Sequence, residues 1–587
     1  MARGRILFRF WLFATVVCVA SLSANAQSPT AQAGGSFMVQ CPSTTPLHPK
    51  AISNPTITGS SSGTPLTESA EPAYAGPVVT TETVGGVSLS YTLNGGAVKC
   101  QEISGGDGYM TEADGNQTFM FSFGPLSGLD LIKHGQPGTL FAADFNNHYN
   151  SPTLPSVCGP AAPGNCSTAG AAGISGSGSI TDPTFDPGRP ISLNGAIADP
   201  ATIMTVGVLN GNIPAPLIAF DEDDEFFLSL SNVGMIMRPD LFEEHTVHFH
   251  GYPNASSYYD GVPDATWAIN IGGSATYYYL APDAGTYFWH CHITPPEHLQ
   301  MGMVGQLYVR PRQNRVPAGT SLYTAATTWY QQDLRTACVN TGNSNGTISP
   351  DILCSTPQPA INTGFTHVAG YKYAYDDGDG STRYDIDVPI QIHGFDPNFH
   401  FVGMTFNPEG FADMKDKYFL LNGRSYPDTV GIPGYAGGPS TAAASSAGSP
   451  DAASSAIGTE DSDGRTRFSQ PLPTLITLDS HGGPGGTGQR ALLRIADLDV
   501  TEYQTLASLG IPMQLVGFNA KLLRDQAGNN LYITTNSITL GGGESLDVIL
   551  DSTGIPPGTY FLYTPNLDHL SNDAENFGGL MTEVVVK

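Results

Sequence analysis

The stretch from residue 285 to residue 309 constrains the fold of this chain most, because it places potential metal ligands between two runs of strand-forming residues. It reads GTYFWHCHITPPEHLQMGMVGQLYV. Its potential ligands are His290, Cys291, His292, His298, Met301 and Met303. Successive side chains of a β-strand point to opposite faces, so His290 and His292 are expected on one face and Cys291 on the other. The stretch predicts a β-framework that holds two adjoining groups of ligands.

A second histidine cluster lies upstream, in the segment LFEEHTVHFHG, and contains His245, His248 and His250. By the same alternation, His248 and His250 face one side together. Two histidines and one cysteine with a weak axial methionine form the ligand set of a blue, type 1 copper. Zinc favours a closed tetrahedral set, in which such a methionine has no clear use. The ligand chemistry therefore favours copper.

Short strand-like runs fill most of the chain. Val, Ile, Thr, Tyr and Phe recur in these runs, with 69 Gly and 45 Pro between them, and the runs lack the periodicity of long helices. A length of 587 residues allows about two to four domains, each with its own core. We predict an all-β fold.

The N-terminus has the pattern of an exported protein. The segment MARGRILFRFWLFATVVCVASLSANAQ places arginines before an apolar run and ends in an Ala-Asn-Ala cleavage pattern. This pattern predicts a secretory signal peptide over residues 1–26, with an uncleaved anchor as the alternative. No later stretch is apolar over the roughly 20 residues that a spanning helix requires. We expect the mature protein to be secreted or periplasmic, without a membrane span.

Cysteine usage agrees with export. Six cysteines remain when Cys18 leaves with the signal peptide and Cys291 is set aside as a ligand. In an oxidising compartment they suggest three disulfides, for which fifteen connectivities exist. Our predicted pairs are Cys41–Cys100, Cys158–Cys166 and Cys338–Cys354.

The chain is strongly acidic, with a formal charge of −28. Such a surface disfavours nucleic acid and anionic membranes as partners. It is compatible with a cationic substrate, metal ions or a basic redox partner, although a charge that serves only solubility is the simpler interpretation.

The segment that begins at Gly211, GNIPAPLIAFDEDDEFFLSLSNVG, gives a Pro-rich entry, an acidic turn and an alternating strand. This opening, the H-x-x-H-x-H cluster and the H-C-H cluster with its later His and Met together resemble a cupredoxin domain of the multicopper oxidases. The resemblance implies that His245, Cys291 and His298 bind a type 1 copper, with Met303 as the axial ligand.

The loop after the H-C-H cluster departs from the family pattern. Five residues separate His292 from His298, two more than in the family, and the changed register makes Met301 a competing axial ligand. We expect the longer loop to alter the potential and exposure of the copper, because loop geometry sets the axial distance. Glu297, beside His298, is a candidate for favouring metal-ion or cationic donors.

The resemblance also implies a second copper site at His248, His250, His290 and His292. In the family, dioxygen is reduced at a trinuclear cluster whose histidines come from two facing domains, and these residues are half of that set. The other eight histidines contain no H-x-H pair and are interpreted as structural or surface residues. Three outcomes stay open: a dimer or trimer completes the cluster, the histidines hold a smaller copper site, or only the type 1 copper binds.

A second β-rich unit is legible from Tyr384, with the runs YFLLNGR, RALLRI and GGESLDV. It resembles the copper-free second domain of the multicopper oxidases. The tetrapeptide GTYF at Gly558 repeats the one at Gly285, but the second copy lacks every ligand. We predict tandem cupredoxin-type Greek-key β-sandwiches, with a long irregular N-terminal extension and long loops. The predicted segments are an extension at 27–190, a copper-binding domain at 191–312 that could include strands from 76–150, and a copper-free domain at 323–587 with a flexible insertion at 431–467.

These features predict an exported copper-dependent oxidoreductase of the multicopper-oxidase type. It would take single electrons from a small reductant or metal ion at the type 1 copper and pass them to a second copper site that reduces dioxygen. One alternative is a type 1 copper electron-transfer protein without oxidase activity. Another is a two-site enzyme like the nitrite reductases, although these lack the second His of H-C-H. The sequence does not specify the electron donor.

Overall fold

The computed structural model describes residues 39–49, 71, 73–112, 114, 116–128, 132, 137–149, 185–186, 189–190, 211, 213–253, 256–281, 283–329, 338, 351–404, 410–427, 429–430 and 474–587. The predicted signal peptide, the pair Cys158–Cys166 and the insertion at 431–467 lie outside these residues.

The first β-sandwich carries both histidine clusters. One of its sheets contains the strands His248–His250, Gly285–His290, Val304–Arg310 and Ile218–Asp221, in that order. The other contains Ser274–Leu280, Glu225–Gly234, Val98–Thr111 and Gln117–Pro125, with Leu140–Phe141 on the edge of Val98–Thr111. The core between the sheets is rich in aromatic side chains, among them Phe121, Phe123, Phe226, Tyr277 and Trp289.

Three strands of this sandwich, Val98–Thr111, Gln117–Pro125 and Leu140–Phe141, come from the segment before residue 150. Val98–Thr111 pairs in parallel with Glu225–Gly234 and antiparallel with Gln117–Pro125. In the facing sheet, Ile218–Asp221 runs parallel to Val304–Arg310. Parallel neighbours that are distant in sequence require crossover connections between the sheets, so the sandwich is not a simple meander.

The second β-sandwich has an aliphatic core of Ile, Leu and Val. One sheet contains Tyr418–Leu421, Ile386–Phe395, Arg490–Asp497, Glu544–Asp551, Met513–Phe518 and Lys521–Leu522, with Ile533–Thr535 beside Met513–Phe518. The facing sheet contains Ile476–Leu478, Met581–Val586, Gly558–Tyr563, Gln504–Leu509 and Ser537–Leu540. The all-β prediction is confirmed.

The sequence repeat corresponds to a structural repeat. Gly285–His290 pairs antiparallel with Val304–Arg310, and Gly558–Tyr563 pairs antiparallel with Met581–Val586. Each GTYF copy therefore starts a strand that is followed by an antiparallel partner in its own sandwich.

Smaller elements complete the described part of the chain. Two-residue strands pair as Lys372–Tyr373 with Arg383–Tyr384 and as Phe185–Asp186 with Arg189–Pro190, and a hairpin joins Val78–Val84 to Val87–Leu93. The α-helices are Ala142–Tyr149, Pro295–Gln300, Leu322–Thr328 and Pro397–Met404. The 3₁₀ turns are Ser257–Tyr259, Arg312–Arg315, Phe411–Asp413, Pro484–Gly486 and Leu567–His569. Among the described residues, no helix is both long and apolar enough to cross a bilayer.

The two sandwiches meet along the strand that leads to Cys291. The Thr286 hydroxyl donates to Asp547 Oδ1 at 2.6 Å, and the Ser545 hydroxyl donates to the Thr286 carbonyl at 2.7 Å. On the neighbouring strand, Gln306 Nε2 donates to the Arg494 carbonyl at 2.7 Å. Because these groups are buried, their hydrogen bonds fix the position of the strand Gly285–His290 against the second sandwich.

Two of the predicted disulfides are confirmed. Cys41 is bonded to Cys100, and Cys338 is bonded to Cys354. The first ties the N-terminal segment to the strand Val98–Thr111. Cys291 is a free, buried cysteine.

Candidate metal centre

A short antiparallel strand pair separates the predicted ligands into two groups. His248–His250 pairs with Gly285–His290, so that His248 lies opposite His290 and Phe249 lies opposite Trp289. Phe249 and Trp289 are fully buried in the aromatic core, and the histidines project from the other face. The alternation expected from the sequence thus holds in this strand pair.

The first group consists of Cys291, His245 and His298, all fully buried. His298 Nδ1 lies 3.2 Å from Cys291 Sγ, and His245 Nδ1 lies 4.0 Å from it. The potential ligand atoms of the three residues all lie within 4.8 Å of one another. The Thr246 backbone N–H also points at the sulfur, with a distance of 3.5 Å from N to Sγ. Two imidazole nitrogens and one sulfur therefore converge on a single buried point.

Glycine makes room for this group in the opposite sheet. A Cβ atom at Gly105 would lie 2.6 Å from the His245 ring, which is closer than any real contact of this kind. Gly105 belongs to the strand Val98–Thr111, so the N-terminal segment helps to form the wall of the site. His245 itself is held by backbone hydrogen bonds with Ile269 in both directions.

The residues between His292 and His298 form a helical turn. The helix Pro295–Gln300 begins after Thr294, whose φ is 39°. Two backbone hydrogen bonds join the two ends of this segment: Met303 N–H donates to the His298 carbonyl, and Cys291 N–H donates to the Met303 carbonyl. Met301 and Met303 are both fully buried in the core cluster that contains Cys291. Both thioethers therefore remain candidates for the axial position.

Electrostatics differ between the two imidazoles of this group. Burial alone would lower the pKa of His298, but the Cys291 sulfur and a contact with Glu243 raise it to about 10. Glu243 Oε2 lies 3.3 Å from His298 Nε2. Burial and the neighbouring His298 hold the pKa of His245 well below its usual value. The Cys291 sulfur and Glu243 thus favour the protonated form of His298.

Glu243 is a site residue that the sequence reasoning missed. The sequence pointed to Glu297, which neighbours His298 in the chain and adds electrostatically to the raised pKa of His298. Glu243 is instead the carboxylate that faces His298 Nε2, and about a quarter of its side chain (23%) is exposed. Its position just before His245 in the chain was the available signal, since the fold brings His245 and His298 together.

The second group contains the four remaining histidines. Ring centroids lie 5.2 Å apart for His248 and His290, 5.1 Å for His248 and His292, and 5.6 Å for His290 and His292. His250 Nδ1 lies 3.4 Å from His290 Nε2. Ligand nitrogens of His248, His250 and His290 all lie within 4.8 Å of one another. The structure thus brings all four together on one face.

Backbone carbonyls orient two of these imidazoles. His248 Nδ1 lies 2.6 Å from the Asp260 carbonyl, and His290 Nδ1 lies 2.7 Å from the Cys291 carbonyl. Each ring therefore donates through Nδ1 and leaves the Nε2 lone pair available. Burial lowers the pKa of His248, and burial with the neighbouring histidines lowers that of His290 to about 3. Both are neutral near pH 7, the state in which imidazole binds metals.

The second sandwich lies beside this histidine face. A cleft of about 460 Å³ is lined by His250 and His290 from the first sandwich and by Asp499, Glu502 and the Gly541–Gly543 turn from the second. The His250 ring stacks on Phe288, with ring centroids 4.4 Å apart. No further histidine lines this cleft in the described part of the chain.

Other described histidines have structural contacts. His400 contacts the carbonyls of Phe119 and Gln300, and His569 stacks on Phe419 with ring centroids 3.9 Å apart. His393, His367 and His400 are buried, and His481 is exposed. These placements agree with the interpretation of these histidines as structural or surface residues.

The donor atoms fit copper. The first group offers two imidazole nitrogens and a cysteine sulfur, with buried thioethers nearby, which is the donor set of a type 1 copper. His245 Nε2 is buried without a hydrogen-bond partner among the described residues, so no protein acceptor holds that nitrogen. The second group offers imidazole nitrogens, which also suit copper. A β-sandwich with these two adjoining groups defines a copper-type metal-binding domain.

Comparisons with known proteins agree with this class. Residues 195–314 match the family model described as multicopper oxidase. Laccase abr2 of Aspergillus fumigatus is 34% identical over 109 residues, which are 18% of this chain and 17% of that protein. Multicopper oxidase MCE of Talaromyces pinophilus is 35% identical over 108 residues, 18% of this chain and 16% of that protein. The matched residues carry both histidine clusters, so this domain is similar to a domain of the multicopper oxidases.

The aligned residues span only 17% and 16% of the lengths of these two relatives. Among solved structures, the multicopper oxidase mgLAC is 14% identical with a TM-score of 0.41, over 84% of this chain and 87% of that chain. The blue copper oxidase from Nitrosomonas europaea is 19% identical with a TM-score of 0.37, over 64% of this chain and 77% of that chain.

Proposed function

We propose that this protein is an exported, copper-dependent oxidoreductase that takes single electrons from a small reductant or a metal-ion substrate and reduces dioxygen. The observation that supports it is the direct link between the two ligand groups. Cys291 belongs to the first group, and its chain neighbours His290 and His292 belong to the second. Electrons that arrive at Cys291 therefore have a short covalent route to both imidazoles.

His245, Cys291 and His298, with Met303 as the preferred axial residue, would hold the first copper. His248, His250, His290 and His292 would hold the second site. Bound copper supplies one-electron redox chemistry at the first site and an oxygen-binding metal at the second. The carbonyls of Asp260 and Cys291 keep the Nε2 atoms of His248 and His290 directed at a ligand.

Burial around the first group has a mechanistic consequence. His298 is fully buried, with its Nε2 facing Glu243. A reductant therefore meets the Glu243 carboxylate before the imidazole. A cation would be attracted to this carboxylate, and a phenol or amine could donate a hydrogen bond to it. Glu243 would thus orient small donors at the first site.

Retention of four histidines in the second group favours an oxidase over a pure electron carrier, which would need only the first group. Half of a trinuclear set is present in one chain. A homo-oligomer that brings two such faces together would supply the other half across a symmetry axis. The two alternatives are a smaller copper site and an electron carrier, and the copper content and oxygen uptake distinguish them.

Copper content, oligomeric state and oxygen uptake should be measured together on the copper-loaded protein. We expect more than one copper per chain, a blue absorption band and oxygen consumption with a reductant such as hydroquinone. Cys291→Ser should abolish the blue band and lose one copper, whereas His290→Ala should keep the band and lose copper from the second site. One copper per chain with no oxygen uptake would reduce the function to that of an electron carrier. Nitrite consumption without oxygen uptake would favour a nitrite reductase.

A further inference from the structure

Three aromatic rings lie in contact, one after another, from the protein surface toward the first group of ligands, His245, Cys291 and His298. Tyr258 is 56% exposed, and its ring centroid lies 4.2 Å from that of Trp267. The Trp267 ring in turn stacks on Tyr277 at 5.5 Å and an interplanar angle of 28°. Tyr277 is fully buried in the core that contains Cys291. The three rings span the wall of the first sandwich.

Two hydrogen bonds and a peptide bond connect the innermost of these rings, Tyr277, to the Cys291 sulfur. The Val247 N–H donates to the Tyr277 hydroxyl, with a nitrogen–oxygen distance of 3.3 Å. Val247 is joined by its peptide bond to Thr246, whose N–H points at Cys291 Sγ. Each link from the exposed Tyr258 to the sulfur is therefore a ring contact, a hydrogen bond or a covalent bond, with no step through open space.

The tryptophan among these three rings is not explained by packing alone. Trp267 Nε1 is buried, and among the described residues it has no hydrogen-bond partner. A buried N–H without a partner costs about 1–3 kcal/mol, which a phenylalanine would avoid while keeping ring contacts. Indole is also among the most easily oxidised side chains, so its π-system couples well to electron transfer.

The other entrance to the site is restricted. His298 is fully buried behind Glu243, so a bulky donor cannot touch the imidazole. Tyr258 is open, and the turn beside it carries acidic residues. The Thr266 hydroxyl donates to the Tyr258 carbonyl at 2.7 Å, and the exposed Asp264 lies on this adjoining turn. Asp260 lies two residues after Tyr258; its side chain is 29% exposed and lies 3.6 Å from His248 Nδ1. The surface at Tyr258 is therefore aromatic and negatively charged.

We infer that Tyr258, Trp267 and Tyr277 form a second electron-entry route, for bulky cationic one-electron donors that dock at Tyr258. The inference rests on the proposed type 1 copper site. A docked donor would lose one electron to a copper(II) ion held by His245, Cys291 and His298, which would become copper(I), and no proton would move. Cations dock there by charge complementarity with Asp260 and Asp264 and by cation–π contact with the exposed ring.

The test is single-turnover reduction of the blue band by stopped flow, with two donors. Tris(bipyridine)cobalt(II) is bulky and cationic, and hydroquinone is small and neutral. In Trp267→Leu we expect reduction by the cobalt complex to slow by about tenfold or more, with hydroquinone changed less than about twofold. Trp267→Phe, which restores a ring, should recover part of the rate. Glu243→Gln should give the opposite pattern, slowing hydroquinone more.

A copper-free measurement tests docking separately. The Trp267 component of the fluorescence is the difference between the wild-type protein and Trp267→Phe. Tris(bipyridine)cobalt(III) should quench this component, and Tyr258→Ala or Asp264→Asn should weaken the quenching.

The outcomes separate the two proposals. Equal slowing of both donors in Trp267→Leu, or no slowing of either, in a protein with a normal blue band and unfolding midpoint would overturn the relay and leave the proposed function intact. A wild-type protein that binds copper without a blue band would instead remove the type 1 site on which both rest.

Discussion

His298 Nδ1 lies 3.2 Å from Cys291 Sγ, although six residues separate them in the chain. The helical turn Pro295–Gln300 produces this approach, and the chain then pairs with the strand Gly285–His290 from Val304 onward. Met301 and Met303, which follow the turn, are consequently buried in the same core cluster as Cys291. The axial ligand can be assigned by substituting each in turn.

Met303→Leu is expected to change the blue band and raise the reduction potential, because the axial ligand tunes a type 1 copper. Met301→Leu should leave both unchanged. Each substitution conserves volume and should cost less than about 1.5 kcal/mol of stability. Visible spectra and redox titrations of the two variants make the comparison, with each serving as the control of the other. If Met301→Leu alone shifts the potential, the axial assignment is reversed.

Glu243 and Glu297 form a second matched pair. Glu243 faces His298 Nε2 at 3.3 Å, whereas Glu297 acts on His298 electrostatically. Glu243→Gln should lower kcat/KM for a cationic donor such as ferrous ion by roughly tenfold, about 1.4 kcal/mol. Glu297→Gln should change it by no more than about twofold. Steady-state kinetics with ferrous ion and with hydroquinone measure both, and a larger effect of Glu297→Gln would restore the assignment made from the sequence.

The two glutamates illustrate what the sequence can predict about this site. Period-two alternation correctly separated Phe249 from its flanking histidines, because that rule depends only on local strand geometry. The pairing of Glu243 with His298 depends on two loops that meet through the tertiary fold. Because the sequence does not show which loops meet, it favours Glu297, the neighbour of His298 in the chain.

The strand Val98–Thr111, which packs against His245, is another part of the site that the sequence does not predict. Gly105 makes room for the His245 ring, yet its strand Val98–Thr111 carries no metal-ligand cluster. The sequence therefore does not assign this strand to one sandwich, and the disulfide Cys41–Cys100 does not indicate which sheet the strand joins. Parallel pairing with Glu225–Gly234 brings together segments more than one hundred residues apart, which local patterns do not encode.

Asp547 is expected to stabilise the strand that leads to Cys291. It is buried and accepts hydrogen bonds from Thr286 on that strand, at 2.6 Å, and from Tyr375, at 2.5 Å. Asp547→Ala should lower the free energy of unfolding by about 2–4 kcal/mol, because two hydrogen bonds to a buried carboxylate are lost. It should also perturb the blue band, since Thr286 is released. Urea unfolding and visible spectra measure the two effects.

The control is Asp551→Ala, at the end of the strand Glu544–Asp551 that also contains Asp547. Asp551 is about half exposed (48%) and pairs with Arg490 at 3.6 Å, and such surface pairs contribute about 0–1 kcal/mol. Equal losses of unfolding free energy in the two variants would mean that Asp547 has no special role in positioning the strand Gly285–His290.

Glu102 makes stability fall at high pH. It is fully buried, and burial raises its pKa to about 8, partly opposed by a hydrogen bond from the Ser231 hydroxyl. Its folded pKa lies above the unfolded value, so its stabilising protonation is fully present below about pH 4.5 and lost as pH rises through about 8. Glu102→Gln stays neutral, so it should match the wild type at pH 4.5 and be more stable at pH 9 by on the order of a few kcal/mol.

Glu225→Gln is the control of opposite sign. Burial alone would raise the pKa of Glu225, but hydrogen bonds from His48, Thr45 and Tyr278 lower it overall. A lowered pKa gives stability above the unfolded value that is lost as pH falls through the folded one. Glu225→Gln should therefore destabilise the protein at neutral and high pH, with a smaller effect toward pH 3. Urea midpoints of both variants across pH 3–9 test the pair, and a parallel response of the two would show that buried charge at Glu102 does not limit stability.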